Sequence, residues 1–374
     1  MTATATKQRK TTKTAADAVS DIDRLALRRA LDLASKVVAR NPAKPVLANV
    51  LLANNQLVAT DLEVRLEVPL AHARSILLPH GRLSAIVREV SAETVSIQPS
   101  GDTTCTIVSG RAQWTLPTEH VSFFPAWAAS DSKPLARLPA EVLRRMLRAV
   151  DYATDTDSSR YALGGVLLEM KAGELAAVAT DGRRLAVATA DVDQATDDRS
   201  VVVPARAVSI LEAMLGDDEG GVQLEVAGGE LVAECSDGSR LIAKLLDGRF
   251  PRWRDVIPAG DGERGAANAS ELLSAVRQAA IVSTEESKGV AFAFDGDELT
   301  LTGRSSANGE SVVTCPLLQP CTSTVVKLDP AFVMHAIRAA DPDEPIEIRV
   351  TTPSEAAVFY SGSITAVIMP MAAE

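Results

Sequence analysis

Few residues of this chain stand at spacings that do chemistry. Its four histidines, His72, His80, His120 and His335, are dispersed over 374 residues. None falls in the i, i+4 pairing that turns two imidazoles toward one zinc ion on a helix. Cys315 and Cys321 are six apart rather than joined by the two-residue spacing of structural zinc sites. With Cys105 and Cys235 isolated, the thiols form no disulfide framework, and a reducing, cytoplasmic location is expected. The chain has no G-x-S-x-G elbow, no P-loop and no G-x-G-x-x-G after a strand. No cofactor and no metal are therefore expected. Two carboxylates remain. Asp61 and Asp181 could share acid–base work, and a hydrolase built on them is one reading. Each, however, follows an apolar strand in an Ala-Thr-Asp run, and the second falls 120 positions after the first. That recurrence favours turn formation, because an Asp side chain bonds the backbone just ahead of it.

The elements that carry these aspartates repeat. NVLLANNQLVATDLEVRL from Asn49 aligns with GVLLEMKAGELAAVATDGRRL from Gly165, and GVAFAFDGDELTLTG from Gly289 aligns with the second. VSIQ, VQLE and IEIR recur later in each segment, and Phe124-Pro125-Ala126-Trp127 is echoed by Phe250-Pro251-Arg252-Trp253. In the central copy, residues 160–187 read as strand, turn, strand. Apolar residues at helical spacing predict helices over 22–40, 83–90, 140–150, 205–215, 271–280 and 331–340. A period near 120 is far longer than a solenoid repeat and predicts three similar domains, each of two helices and about eight strands. The expected boundaries are 1–20, a disordered basic tail, then 21–131, 132–257 and 258–374. Linkers are read at FFPAWAASDSKP and AGDGERGAANA. The start of the chain has no apolar core like that of a secretory signal, and no run approaches a membrane span.

The net charge is -11, which by itself argues against a nucleic-acid partner. Its distribution says otherwise. Over these helices with their flanking residues, taken as 22–40, 78–91, 139–151, 204–216, 270–280 and 329–341, Lys and Arg exceed Asp and Glu by 4, and the first 19 residues add 3 more, so strands and loops carry -18. Helices sharing one face could attract phosphate while the outside repelled it.

The runs RYALGGVLLE, ATDGRRLAV and KLLDGRFPRWRDVIP and the C-terminal VIMPM resemble the bacterial DNA polymerase III beta subunit, the replication sliding clamp. The resemblance covers about 22–371 and is most specific in the central copy. It implies an α+β fold of three repeated clamp domains, each with two helices packed on antiparallel sheets. Two protomers would close head to tail into a homodimeric ring around double-stranded DNA, without sequence preference and without catalysis. It implies DNA-facing roles for Arg28, Arg29, Lys36, Arg144, Arg145, Arg148, Arg206 and Arg277. Trp114 and Leu116, exposed on an edge strand, would meet Ile281 and Val282 of the partner protomer. A pocket for short linear motifs of the polymerase III alpha subunit, the clamp loader and other partners would use Leu163, Thr180, Gly182, Arg183, Arg184, Leu185, Pro251, Asp255, Val256, Val367, Ile368, Met369, Pro370 and Met371. Flexible Met and aliphatic residues suit such a promiscuous surface.

Two departures from the family pattern bear on that pocket. Asp255 stands where many relatives carry a basic residue, and the chain ends Ala372-Ala373-Glu374 without a short basic terminus. Both add negative charge, so motifs with basic flanks are expected to bind well. The alternative to a DNA-encircling role is a clamp-like peptide-binding scaffold.

Overall fold

The structure is a computed structural model. It describes residues 21–39, 41–72, 74–101, 103–127, 131–157, 161–192, 197–216, 219–259, 264–284, 289–341 and 344–371. The basic tail and the Ala372–Glu374 ending lie outside these residues. The described residues fold as two compact units, divided after Trp127.

The first unit runs β1 (Asp21–Asp23), α1 (Arg24–Ala34), β2 (Asn49–Ala53), β3 (Gln56–Thr60), β4 (Val64–Pro69), β5 (Ile76–Pro79), α2 (His80–Glu89), β6 (Thr94–Pro99), β7 (Thr104–Ser109) and β8 (Ala112–Pro117). One antiparallel sheet is ordered β1-β6-β7-β8. In the other, β2 pairs with β3 and β5, and β3 pairs with β4. The first helix is shorter than its apolar pattern. Ile22 belongs to β1, opposite Val95, and the Asp23 carboxylate accepts from the Ala26 amide at 2.7 Å, so the helix cannot begin earlier. It ends at Ala34, and Lys36 lies in the turn beyond.

The second unit runs β9 (Ser132–Pro139), α3 (Ala140–Val150), β10 (Gly165–Lys171), β11 (Glu174–Thr180), β12 (Arg184–Asp191), β13 (Arg199–Pro204), α4 (Ala205–Leu215), β14 (Gly221–Ala227), β15 (Glu230–Cys235) and β16 (Arg240–Lys244). It continues β17 (Gly265–Ala267), α5 (Ala269–Ala279), β18 (Val290–Ser305), β19 (Gly309–Leu328), α6 (Pro330–Ala339), β20 (Ile346–Arg349), β21 (Ala357–Ser361) and β22 (Ile364–Ile368). Part of each expected linker is thus strand, at β9 and at β17. Strands β9 and β14–β16 form one antiparallel set. The rest form a ten-stranded sheet, β13-β10-β11-β12-β22-β21-β20-β17-β19-β18. The second and third repeats are joined edge to edge by β12 and β22, which is why they fold as one unit.

The repeats are plain in this order. Each has two helices side by side: α1 with α2, α3 with α4, α5 with α6. The four-residue apolar spacing of α3 buries Leu143, Met146, Leu147 and Val150 and leaves Arg145 and Arg148 outside. Asp23, Asp151, Asp329 and Asp341 fall outside the helix bounds, as do Lys36 and Arg40, so the basic excess on the six helices is 6. Gly165 is demanded by packing, since a Cβ there would stand 2.3 Å from the Val203 carbonyl oxygen of the paired strand. No helix among the described residues is long and apolar enough to cross a membrane.

A candidate peptide-docking pocket

The pocket grows from one turn. After β11, Thr180 Oγ1 donates to the Arg184 carbonyl at 2.6 Å and accepts from the Gly182 amide at 3.1 Å. Asp181 Oδ1 accepts from the amides of Arg183 at 2.9 Å and Arg184 at 3.0 Å. The chain reverses through Gly182 at φ 86°, a region open to glycine at little cost. Asp181 is therefore engaged in turn formation. Asp61 does the same, accepting from Glu63 and Val64 at 2.9 and 2.7 Å.

Strand pairing then brings the C-terminus beside the turn. Arg184 lies opposite Ile368 and Leu185 opposite Val367, and the Met369 amide donates to the Arg183 carbonyl at 2.9 Å. The third wall is the 3-10 turn Trp253–Val256. Trp253 is buried against Leu167, Leu185, Val202 and Val367. Arg254 stacks over its indole at 4.0 Å and is held by Glu169.

The resulting concavity is lined by Leu163, Thr180, Gly182, Arg183, Arg184, Leu185, Pro251, Trp253, Val256, Val367 and Met369. Ten of the fourteen anticipated pocket residues are among them. Val256 and Met369 are large apolar groups left nearly half exposed, 46% and 45%, which is what an apolar anchor would cover. The other four are placed differently. Ile368 is 1% exposed and belongs to the core under α5 and α6, because alternation along β22 turns it away from Val367. Pro370 and Met371 lie just past the strand, half-buried, with the Met371 amide donating to the Lys327 carbonyl at 2.8 Å. Asp255 lines the adjoining groove and pairs with Arg252 at 3.2 Å. Its charge is thus partly countered on the spot, which weakens the case for a basic flank preference.

Trp253 was missing from the expected site although it stands two residues after Pro251. Arg184 also has partners that nothing in the sequence flags. Its guanidinium donates to Asp181 Oδ2 at 3.0 Å, to the Tyr152 carbonyl at 2.6 Å and to His335 Nδ1 at 2.7 Å. It also lies over the Phe332 ring at 4.4 Å and the Tyr152 ring at 5.2 Å. Burial pushes the Tyr152 phenol well above its usual range.

The anticipated DNA-facing cations sit on α1, α3, α4 and α5 or, for Lys36, in the turn after α1. Arg28, Arg29, Lys36, Arg145, Arg148, Arg206 and Arg277 are exposed. Arg144 is not a free cation. It is half-buried and donates to the Gly216 carbonyl at the end of α4. At the anticipated subunit edge, β8 does end its sheet. Leu116, expected to be exposed, is only 9% so, and Trp114 is half-buried. They share a sheet face with their cross-strand partners Cys105 and Ile107, both buried in the core. Ile281 is 76% exposed and Val282 half-buried.

Repeated pairs of helices on antiparallel sheets, with an open apolar pocket at a sheet junction, define a protein of the DNA-clamp class. Residues 21–128 match the N-terminal domain, and residues 137–252 the central domain, of the DNA polymerase III beta subunit. The beta sliding clamp of Chlamydia pneumoniae is 30% identical over 90% of this chain and 93% of its own. That of Proteus mirabilis is 31% identical over 78% and 82%. The crystal structure of the Pseudomonas aeruginosa sliding clamp bound to griselimycin superposes with a TM-score of 0.88 at 25% identity, covering 94% of this chain and 99% of that one. The chain belongs to the DNA polymerase III beta subunit family. Its function is that of a DNA sliding clamp serving polymerase processivity.

Proposed function

We propose that two copies of the chain close head to tail into a ring around duplex DNA, and that the pocket at the β12–β22 junction docks short linear motifs. The partners would be the polymerase III alpha subunit, the clamp loader and other motif-bearing proteins. In this reading the domains divide near 131/132 and 257/258, the protein works in the cytoplasm, and it needs neither cofactor nor catalytic group. The seven exposed cations on and beside the helices would face phosphate. Their modest number suits sliding, since non-specific affinity and its salt dependence both rise with the phosphates neutralised. Retention would come from ring closure rather than tight binding.

The observation that carries the docking role is the apolar pocket with Val256 and Met369 left open beside the Gly182 turn. It is tested by titrating a labelled Gln-Leu-x-Leu-Phe peptide against the chain and against a truncation lacking residues 369–374. Saturable binding that the truncation abolishes is the expected result, and equal binding by both proteins would refute the pocket. For the ring, Trp114→Ala should weaken the dimer. Light scattering that shows the same mass for both proteins at low concentration would contradict this interface.

A further inference from the structure

The Arg184 guanidinium is a wall of the proposed pocket, yet it is held from behind by groups that never reach the pocket. Its side chain is only 11% exposed, and Asp181, the Tyr152 carbonyl and His335 take up its N–H groups. A guanidinium can only donate, so His335 Nδ1 must be the acceptor, and the imidazole is neutral with its proton on Nε2. An imidazolium has no lone pair to offer and would set a second positive charge 2.7 Å from the arginine.

We infer that His335, on α6 and outside the pocket, is a positioning residue for peptide docking: neutral, it holds Arg184 in the pocket wall, and protonated, it lets that wall go. The inference rests on the peptide-docking reading and adds a control to it. The surroundings favour the neutral form. Burial pushes the imidazole below the ordinary histidine range, Arg184 and Arg338 act in the same direction, and Asp329 at the helix start opposes them. Tyr152 lies beside the imidazole, ring centroids 5.7 Å apart, preceded by Asp151, whose carboxyl burial pushes upward. Asp181 stands on the far side of Arg184. β22, packed against α6, is ITAVI and brings no charge. The neighbouring helices α3 and α5 carry Glu141, Arg144, Arg145, Arg148, Glu271 and Arg277, of which Arg144 alone is not exposed.

The sign follows. A histidine whose pKa is depressed in the peptide-competent state is neutral there at neutral pH. Lowering the pH through and below the ordinary histidine range must favour the state in which Arg184 is released. The probe is an acetylated, amidated Gln-Leu-Ser-Leu-Phe peptide, which has no group titrating between about pH 5 and about pH 8. Its affinity for the full chain should fall roughly tenfold across that interval, the effect of a one-unit difference in the His335 pKa between bound and free protein. His335→Gln keeps an acceptor but not the charge, so its profile should be flat. His335→Lys, a permanent cation, should bind weakly throughout; if it fails to fold, the comparison with His335→Gln decides alone. A flat profile for the unmodified chain, or the same slope in His335→Gln, overturns the positioning role and leaves the pocket standing. Absence of saturable binding even at about pH 8 overturns both.

Discussion

The chain makes the same turn twice and puts it to different use. At 60–64 and at 180–184 a threonine hydroxyl bridges across the turn, to the carbonyls of Val64 and Arg184, at 2.8 and 2.6 Å. In both, an aspartate gathers the next two free amides. The third residue has φ near +80°, as Leu62 in one and Gly182 in the other. The backbones are alike; the fifth residue differs. Val64 is buried in the first unit, whereas Arg184 reaches Tyr152, Phe332 and His335. A local motif thus supplies the scaffold, and one side chain converts it from a plain hairpin turn into a pocket wall.

That comparison can be broken most sharply at the aspartates. Asp181→Ala removes two amide bonds and the ion pair to a nearly buried guanidinium. It should cost roughly 2–4 kcal/mol in denaturant unfolding and abolish peptide binding. Asp61→Ala removes the two turn bonds of the first copy, and about 1 kcal/mol with intact peptide binding is expected. Equal costs would mean that Arg184 adds nothing to the second turn. Next in size, Arg184→Ala should weaken peptide binding about tenfold, a loss of about 1.4 kcal/mol. The remaining pair of variants tests the backbone side, and the second of them carries the smallest effect. Gly182→Ala forces a side chain into left-handed space and should cost about 1–2 kcal/mol. Leu62→Gly should stay within about 0.5 kcal/mol of the parent, because relief of the same strain offsets the chain freedom glycine adds.

Much of the fold was legible because it is written in local periodicity. The 140–150 and 205–215 helices occur at the predicted bounds, since each is preceded by a proline and carries a clear apolar stripe. The 22–40 helix was overdrawn, because the same apolar spacing continues through Ile22 and Val37, whose burial comes from a strand and a turn. The motifs named ten of the eleven residues that line the concavity. Among the residues placed otherwise, Ile368, Arg144 and Leu116 differ because burial depends on which face of a strand or helix end meets a distant neighbour.

By itself the sequence determined the Thr-Asp turns and the helix faces, consequences of residues within a few positions of one another, and the repeats and the segregation of charge, which are patterns along the chain. Only tertiary structure decided that β12 and β22, some 180 residues apart, lie edge to edge and so bring Met369 to Gly182. It likewise decided that an α6 histidine with no motif of its own meets Arg184. Such contacts depend on the summed packing of whole sheets and helices, and no local pattern of residue types encodes the partner.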